Sequence, residues 1–450
     1  MTARLHAQTT SALIAFRARN ARSFRDQIEF SMQATAMAES RYVREVPWRE
    51  GGIPLRVLPA AGVFGGNASG KSNLLEIMND MSALILGSFQ FGRPGGPIPR
   101  RHFLLDERSA AEPTRYEIDL VLDGVLHNYG FEVSNERVVE EWAYRYPHGR
   151  SALLFHRLEA DVRLGAAARP KGRAAVGILR PNALYLSTAA YVDHPALLPL
   201  FEWFGQNLLL ADVDTRPFRQ ALTTHMIDDE KYRTAILELL HAADLGISDA
   251  RRIEPDPVQR ERIRMAVRIL RGDEEPGEAR EHIDTAEVMS GISLTHPGAG
   301  GDVEMDSDDE SIGTLVWFGL IGPVLNVLES GSVLLADELG ASLHPALVRE
   351  LLRMFQDPDR NPRCAQIIFN SHDPGLLGEG TGERLLGRDQ IWFTEKTGDG
   401  ATRLRPLTDA APRRTEAISK RYLEGWYGAT PILIPGGFDN AAKLVATDVG

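Results

Sequence analysis

Gly65-Gly66-Asn67-Ala68-Ser69-Gly70-Lys71-Ser72 decides how this chain is read. The stretch fits the pattern G-x-x-x-x-G-K-[ST], and each residue type in it has a physical reason. Glycines let backbone N–H groups turn inward and come close to phosphate oxygens. A helix starting near Lys71 would aim the positive end of its dipole at the same oxygens. Lys71 would reach the outer phosphates of a nucleotide, and Ser72 would offer a hydroxyl to Mg²⁺. The motif carries meaning only between a strand and a helix. Residues 59–64 (PAAGVF) read as that strand, and Asn73 to Leu86 as that helix. Residues 65–73 are therefore the candidate nucleotide-binding loop.

Three further elements lie downstream. Ser332 to Ala336 is an apolar run that delivers Asp337 and Glu338 at its end, where ligands sit in α/β sheets. Asp337 could hold Mg²⁺, and Glu338 could polarise an attacking water. A second apolar strand, Ile367-Ile368-Phe369, ends in Asn370-Ser371-His372-Asp373, and His372 could hydrogen-bond a γ-phosphate or that water. Finally, Ser311 and Gly313 open a helical stretch, 311–328, just before the acidic strand. Serine and glycine at a helix N-terminus suit an anion, although serine is also a common plain helix cap.

Working outward, 12–19 and 27–33 alternate as strands do, with a turn between them. Segments 115–122, 125–133, 137–146 and 151–157 predict an antiparallel meander, with Asp123-Gly124 as a hairpin turn. Residues 88–100 are dense in Gly and Pro and read as loop. Helical patterning runs from about Pro195 to Leu270, including 196–210 and 230–242, and acidic, Gly-rich 272–309 reads as mostly loop. The last third alternates helix (345–356) and strand (365–369), which predicts an α/β fold. The expected organisation is an N-terminal part of a nucleotide-binding head over 1–190 and a helical insertion with an acidic loop over 191–309. The C-terminal part of the head would cover 310–430, and 431–450 would be a tail.

Composition narrows the class. A net charge of −12 argues against a surface coated for indiscriminate nucleic-acid binding. The single cysteine, Cys364, excludes an internal disulfide and a multi-cysteine metal site. No apolar run reaches the roughly eighteen residues needed to cross a bilayer, and 1–10 lack a secretory layout. These facts predict a cytoplasmic protein with no membrane partner.

The four elements, in this order, resemble the ABC-type ATPases of the chromosome-maintenance, RecF and overcoming-lysogenisation class. The resemblance implies an ABC-type P-loop head with an antiparallel β subdomain and a helical insertion. It makes Ser311 and Gly313 the signature residues, Ala341-Ser342-Leu343-His344-Pro345 the D-loop, and His372 the switch histidine. ATP and Mg²⁺ would be the cofactors. In this class the signature serine completes the site of a second head, so a homodimer or higher homo-oligomer around ATP is implied. Two departures stand out: no glutamine lies between Gln90 and Gln206 to serve as a Q-loop, and Thr314 replaces the second glycine of transporter-type signatures.

A finer resemblance is to bacterial AAA family ATPases of the abortive-infection and restriction-linked, RloA-like group. It rests on Asn20 to Phe24, Phe103 to Asp106, Glu140 to Trp142, Leu186 to Thr188, Arg388 to Phe393 and Arg421 to Ala429. It implies an ATP-driven switch in anti-phage defence that controls an effector from the same operon. A RecF-like repair clamp is the alternative, and a nuclease carrying its own ATPase is a third reading. Between Arg251 and Arg271, arginines at 260, 264, 268 and 271 would give one basic helical face. That face suits nucleic acid, or simple pairing with the acidic stretch that follows.

Overall fold

Val333-Leu334-Leu335-Ala336 is apolar on every residue, as a strand must be when both faces of its sheet are covered. It lies in a six-stranded sheet whose order, by residues, is Leu208–Ala211, Val333–Ala336, Gln366–Asn370, Ala60–Gly65, Ile391–Lys396 and Thr402–Pro406. The first five are parallel and the last is antiparallel. The computed structural model describes residues 11–253, 291–378 and 384–430, and 436, 439 and 441–443 beyond them.

Alternation along these strands assigns each residue to one of two cores. Ala61, Val63, Val333, Leu335, Ile368 and Trp392 face a core shared with the helix Lys71–Gly87 and a second sheet. Ala60, Phe64, Leu334, Ala336, Ile367 and Phe369 face the helices Ile312–Ser330 and Pro345–Gln356. The second sheet is antiparallel and seven-stranded, and it contains the predicted meander as Thr114–Leu122, Val125–Val133, Val138–Arg145 and Ala152–Leu158. The buried Gln366 ties the two sheets together. Its Nε2 donates to Leu13 O and Leu58 O, and its Oε1 accepts from Leu13 N at 2.7 Å.

The helix Ile312–Ser330 carries Pro323 in its interior. Proline frees the carbonyl four residues back, and Arg219 Nη1 donates to that oxygen, Gly319 O, at 3.4 Å. The partner helix Arg216–Met226 packs so closely that a Cβ at Gly322 would lie 2.5 Å from Thr223 Oγ1. This helix also corrects the membrane reading in one respect. At 19 residues it is long and apolar enough, by length and composition alone, to suit a membrane span. Gly, Thr and Asn break the run to the eye, and the buried residues within it mark a core helix.

Three other expectations change. Residues 196–210 are not one helix: Leu198–Gln206 is helical, but Leu208–Ala211 is the edge strand beside Val333–Ala336. Trp203 and Phe204 pack in the head core, so the chain does not leave the head at 191. Residues 291–306, expected as acidic loop, form the hairpin Gly291–Gly298 with Gly301–Asp306, flanked by Asp249–Ile253. Their charges sit on an exposed ladder rather than in a loop. The arginine-rich helical face at 260–271 lies outside the described residues.

Candidate nucleotide-binding site

Parallel strands end together, so the loops after Gly65, Ala336 and Asn370 meet at one edge of the sheet. The P-loop turns through Ala68 (φ 59°) and Gly70 (φ 99°), both left-handed, before the helix begins at Lys71. Two of its glycines leave no room for a side chain. A Cβ at Gly65 would sit 2.4 Å from Thr394 Oγ1, and one at Gly70 would sit 2.2 Å from Thr402 Oγ1. Those threonines brace the loop: Thr394 shares a 2.7 Å hydrogen bond with Ser69 Oγ, and Thr402 Oγ1 donates to Ser69 O at 3.0 Å. Thr402 Oγ1 is also within 2.8 Å of Ser23 Oγ, inside the tight turn Asn20 to Phe24.

Lys71 is buried, and its Nζ donates to Gly65 O and Gly66 O at 3.0 and 2.9 Å. Burial lowers its pKa from the usual lysine value, opposed by the nearby carboxylates of Glu338 and Asp337. Asn370 organises the rest of the site. It is fully buried, and its Nδ2 donates to Asp337 Oδ1 and, at 3.4 Å, to Ser72 Oγ. Its Oδ1 accepts from Glu338 N at 2.5 Å, and its main-chain oxygen accepts from Leu339 N at 3.0 Å. Glu338 takes a left-handed conformation (φ 51°) that costs a non-glycine residue of order 1 kcal/mol and is held here by those bonds. Ser72 and Asp337 thus present a hydroxyl and a carboxylate bridged by one amide. Hard oxygen donors of this kind fit Mg²⁺.

Glu338 and His372 are exposed at the rim of a cavity of about 850 Å³ that also takes in Asn67, Ser69, Lys71 and Ser72. Its far wall is the stretch Arg100 to Leu105, where Leu104 and Leu105 are exposed and Phe103 is buried. Burial, and then the Lys71 charge, lower the His372 pKa from the usual histidine value, against Glu338 and Asp337.

Ser311 and Gly313 are not part of this cavity. They line a separate one of about 670 Å³ with Ser342 and His344. Ser311 caps its helix by accepting from Thr314 N at 3.1 Å, and a Cβ at Gly313 would lie 3.0 Å from Ser342 O. The structure therefore gathers residues 65–73, Asp337, Glu338 and His372, and sets the Ser311 pair beside the stretch 341–345 instead.

Sequence reasoning passed over Asn370, Thr394, Thr402 and Ser23. Only Asn370 left a usable signal, a carboxamide directly after an apolar strand. The C-terminal stretch Arg421 to Ala429 packs on the P-loop strand's neighbour, with Tyr422 and Tyr427 stacked on Phe393 at 5.6 and 4.9 Å. Tyr422 also meets Phe64 of the P-loop strand edge-on, with ring centroids 6.5 Å apart.

The family described as "AAA domain, putative AbiEii toxin, Type IV TA system" matches residues 60–378, more than two-thirds of the chain. The chain belongs to this family. As a member of this AAA family it is a P-loop ATPase, built as a mixed α/β fold in which a mostly parallel sheet packs on an antiparallel one. Similar solved structures include the SMC head bound to the C-winged helix domain of ScpA (12% identity, 89% of this chain, 99% of that chain, TM-score 0.40). They also include the SMC head domain from Thermotoga maritima (11%, 88%, 98%, 0.35). A third is the Smc head with an extended coiled coil bound to the C-terminal domain of ScpA from Pyrococcus furiosus (11%, 89%, 98%, 0.37). No curated protein matches the AAA family chain.

Proposed function

We propose that the chain is a Mg²⁺-dependent ATPase whose sites are completed by a second copy, and that it works as a cytoplasmic switch controlling an effector from its own operon in anti-phage defence. The observation that carries the ATPase reading is the Asn370 hub, which holds Ser72, Asp337 and the Glu338 backbone in one constellation. Lys71 and the loop amides bind and orient the β- and γ-phosphates, and Ser72 and Asp337 would hold the metal. Mg²⁺, when bound, neutralises charge on the phosphate oxygens. Glu338 takes up the proton of the attacking water, and His372 hydrogen-bonds the γ-phosphate. Catalysis of this kind is positioning plus charge stabilisation.

The dimer reading is supported by the separation of the two cavities. Ser311 and Gly313 lie at a helix N-terminus that lines a cavity separate from the chain's own P-loop cavity, and the positive end of a helix dipole suits a phosphate. A second copy could supply them to the nucleotide.

The family description itself favours a second reading of the biology, in which this chain is the toxin of a toxin–antitoxin pair. Against that, the chain's chemistry is taken up by ATP. Burial pushes the Cys364 thiol up to about 12, so it is no nucleophile at neutral pH. The test of the core reading is an ATPase assay on two variants. Lys71→Ala should lose nucleotide binding, whereas Glu338→Gln should bind ATP like the parent and turn it over far more slowly. Wild-type turnover by Glu338→Gln would remove Glu338 as the base.

A further inference from the structure

A third cavity, of about 600 Å³, is polar and shares no residue with the nucleotide cavity. One wall is the helix Pro345–Gln356, which starts at the last residue of the stretch 341–345. The opposite wall is the turn Pro374–Leu377, two residues after His372. Five arginines line the cavity, Arg41, Arg349, Arg353, Arg360 and Arg384, against two carboxylates, Glu350 and Asp357. In a chain of net charge −12, such a local excess of guanidinium is out of keeping with the rest of the surface.

The ion pairs leave charge over. Arg353 pairs with Glu350, Arg360 with Asp357 at 3.3 Å, and Arg41 with Glu39 at 3.6 Å. Arg349 has no ion pair among the described residues. Arg384 is 7% exposed, its Nη2 donates to Glu416 O, and its Nη1 is buried with no hydrogen-bond partner among the described residues. Tyr42 Oη donates to Arg384 O, which fixes the position of that residue's main chain. Burial, with Arg388 adding to it, lowers the Arg384 pKa from the usual arginine value. An unpaired buried guanidinium N–H calls for an acceptor, a water or an anion, and the surplus of arginine around this cavity favours an anion. Guanidinium forks match phosphate oxygens two at a time, and the volume is that of a small-molecule site.

We infer that this cavity is a second, non-catalytic site for a small ligand bearing two or more phosphates, with Arg384 at its floor and Arg349 as its exposed contact. One wall is the turn that follows His372, a residue of the nucleotide cavity, so occupancy would bias the position of His372. That regulatory consequence rests on the ATPase reading, but the binding itself does not.

Lys71→Ala protein, with its P-loop disabled, separates the two. Pyrophosphate titrated into it by calorimetry should bind at one site per chain. Adding Arg349→Glu should weaken that binding at least tenfold, and adding Arg384→Met should abolish it. Arg349 is exposed, so its variant should fold even where Arg384→Met does not. No pyrophosphate binding by Lys71→Ala protein, or unchanged binding after Arg349→Glu, would overturn the site. A short single-stranded oligonucleotide is the second probe. If it bound more tightly than pyrophosphate and was lost with Arg349→Glu, the ligand would be nucleic acid and the small-ligand assignment would fall.

Discussion

Replacing Asn370 by Ala removes one side chain and unties three site residues at once. Glu338 N loses its acceptor, Asp337 loses a donor, and Ser72 loses its weak 3.4 Å contact. A buried N–H left without a partner costs about 1–3 kcal/mol, and a hydrogen bond to a charged carboxylate is worth about 1.5–3 kcal/mol. These terms overlap, so the expected loss of folding stability is about 2–4 kcal/mol. The larger effect should be kinetic. Glu338 sits at φ 51°, a conformation that relaxes once its N–H is free. A shift of the base by about 1 Å costs about 100-fold in rate. Nucleotide binding should survive, because Lys71 and the loop amides do not touch Asn370. Steady-state ATPase assays should therefore show kcat down about 100-fold, and fluorescent-nucleotide titration should show Kd within about threefold of the parent. Asn370→Asp is the sharper companion: it keeps an acceptor for Glu338 N but sets a carboxylate against Asp337, so it should hold the fold better and still lose turnover. An Asn370→Ala protein with kcat within threefold of wild type would refute the view that this residue positions the site.

Other outcomes follow from the same geometry. Thr402→Val removes the hydroxyl that donates to Ser69 O and meets Ser23, so it should loosen the P-loop and weaken ATP affinity by about tenfold, roughly one buried hydrogen bond, in the same titration. The His372 ring should titrate below 6.5 by NMR, since burial and Lys71 favour its neutral form. Added nucleotide, whose negative charge offsets Lys71, should move that titration upward, and no movement would place His372 away from the phosphates. Purified chain incubated with plasmid and tRNA, ATP and Mg²⁺ or Mn²⁺ should leave both intact. Cleavage that disappears in a variant outside the ATPase motifs would make the chain itself the toxic agent.

The P-loop could be read from the sequence because its chemistry is local: eight consecutive residues carry the glycines, the lysine and the serine, and flanking apolar runs name the strand and helix. Asp337 and Glu338 were legible for the same reason, as carboxylates ending an apolar strand. What escaped notice depends on partners distant in sequence. Leu208–Ala211 follows the apolar helix Leu198–Gln206 with no break in composition, and only its pairing to Val333–Ala336 makes it a strand. In Gly301–Asp306 the acids alternate with Val303 and Met305, but that strand is largely exposed, so its composition reads as loop. Asn370 looks like any polar residue after a strand until Ser72, 298 positions away, is placed beside it. The family-like stretches were recognised without a role. Two of them meet in the buried cluster where Glu141 accepts from Leu186 N at 2.9 Å and lies 3.8 Å from Arg157.

On the proposed mechanism ATP joins two chains, each nucleotide lying between Lys71 of one and Ser311 of the other. Multi-angle light scattering of Glu338→Gln protein, with ATP and Mg²⁺, tests it most directly, because slow turnover traps the joined state. The mass should double on adding ATP, and the doubling should be lost in Glu338→Gln/Ser311→Arg protein that still binds one nucleotide per chain. An unchanged mass with ATP, or a doubling that persists with Ser311→Arg, would contradict it.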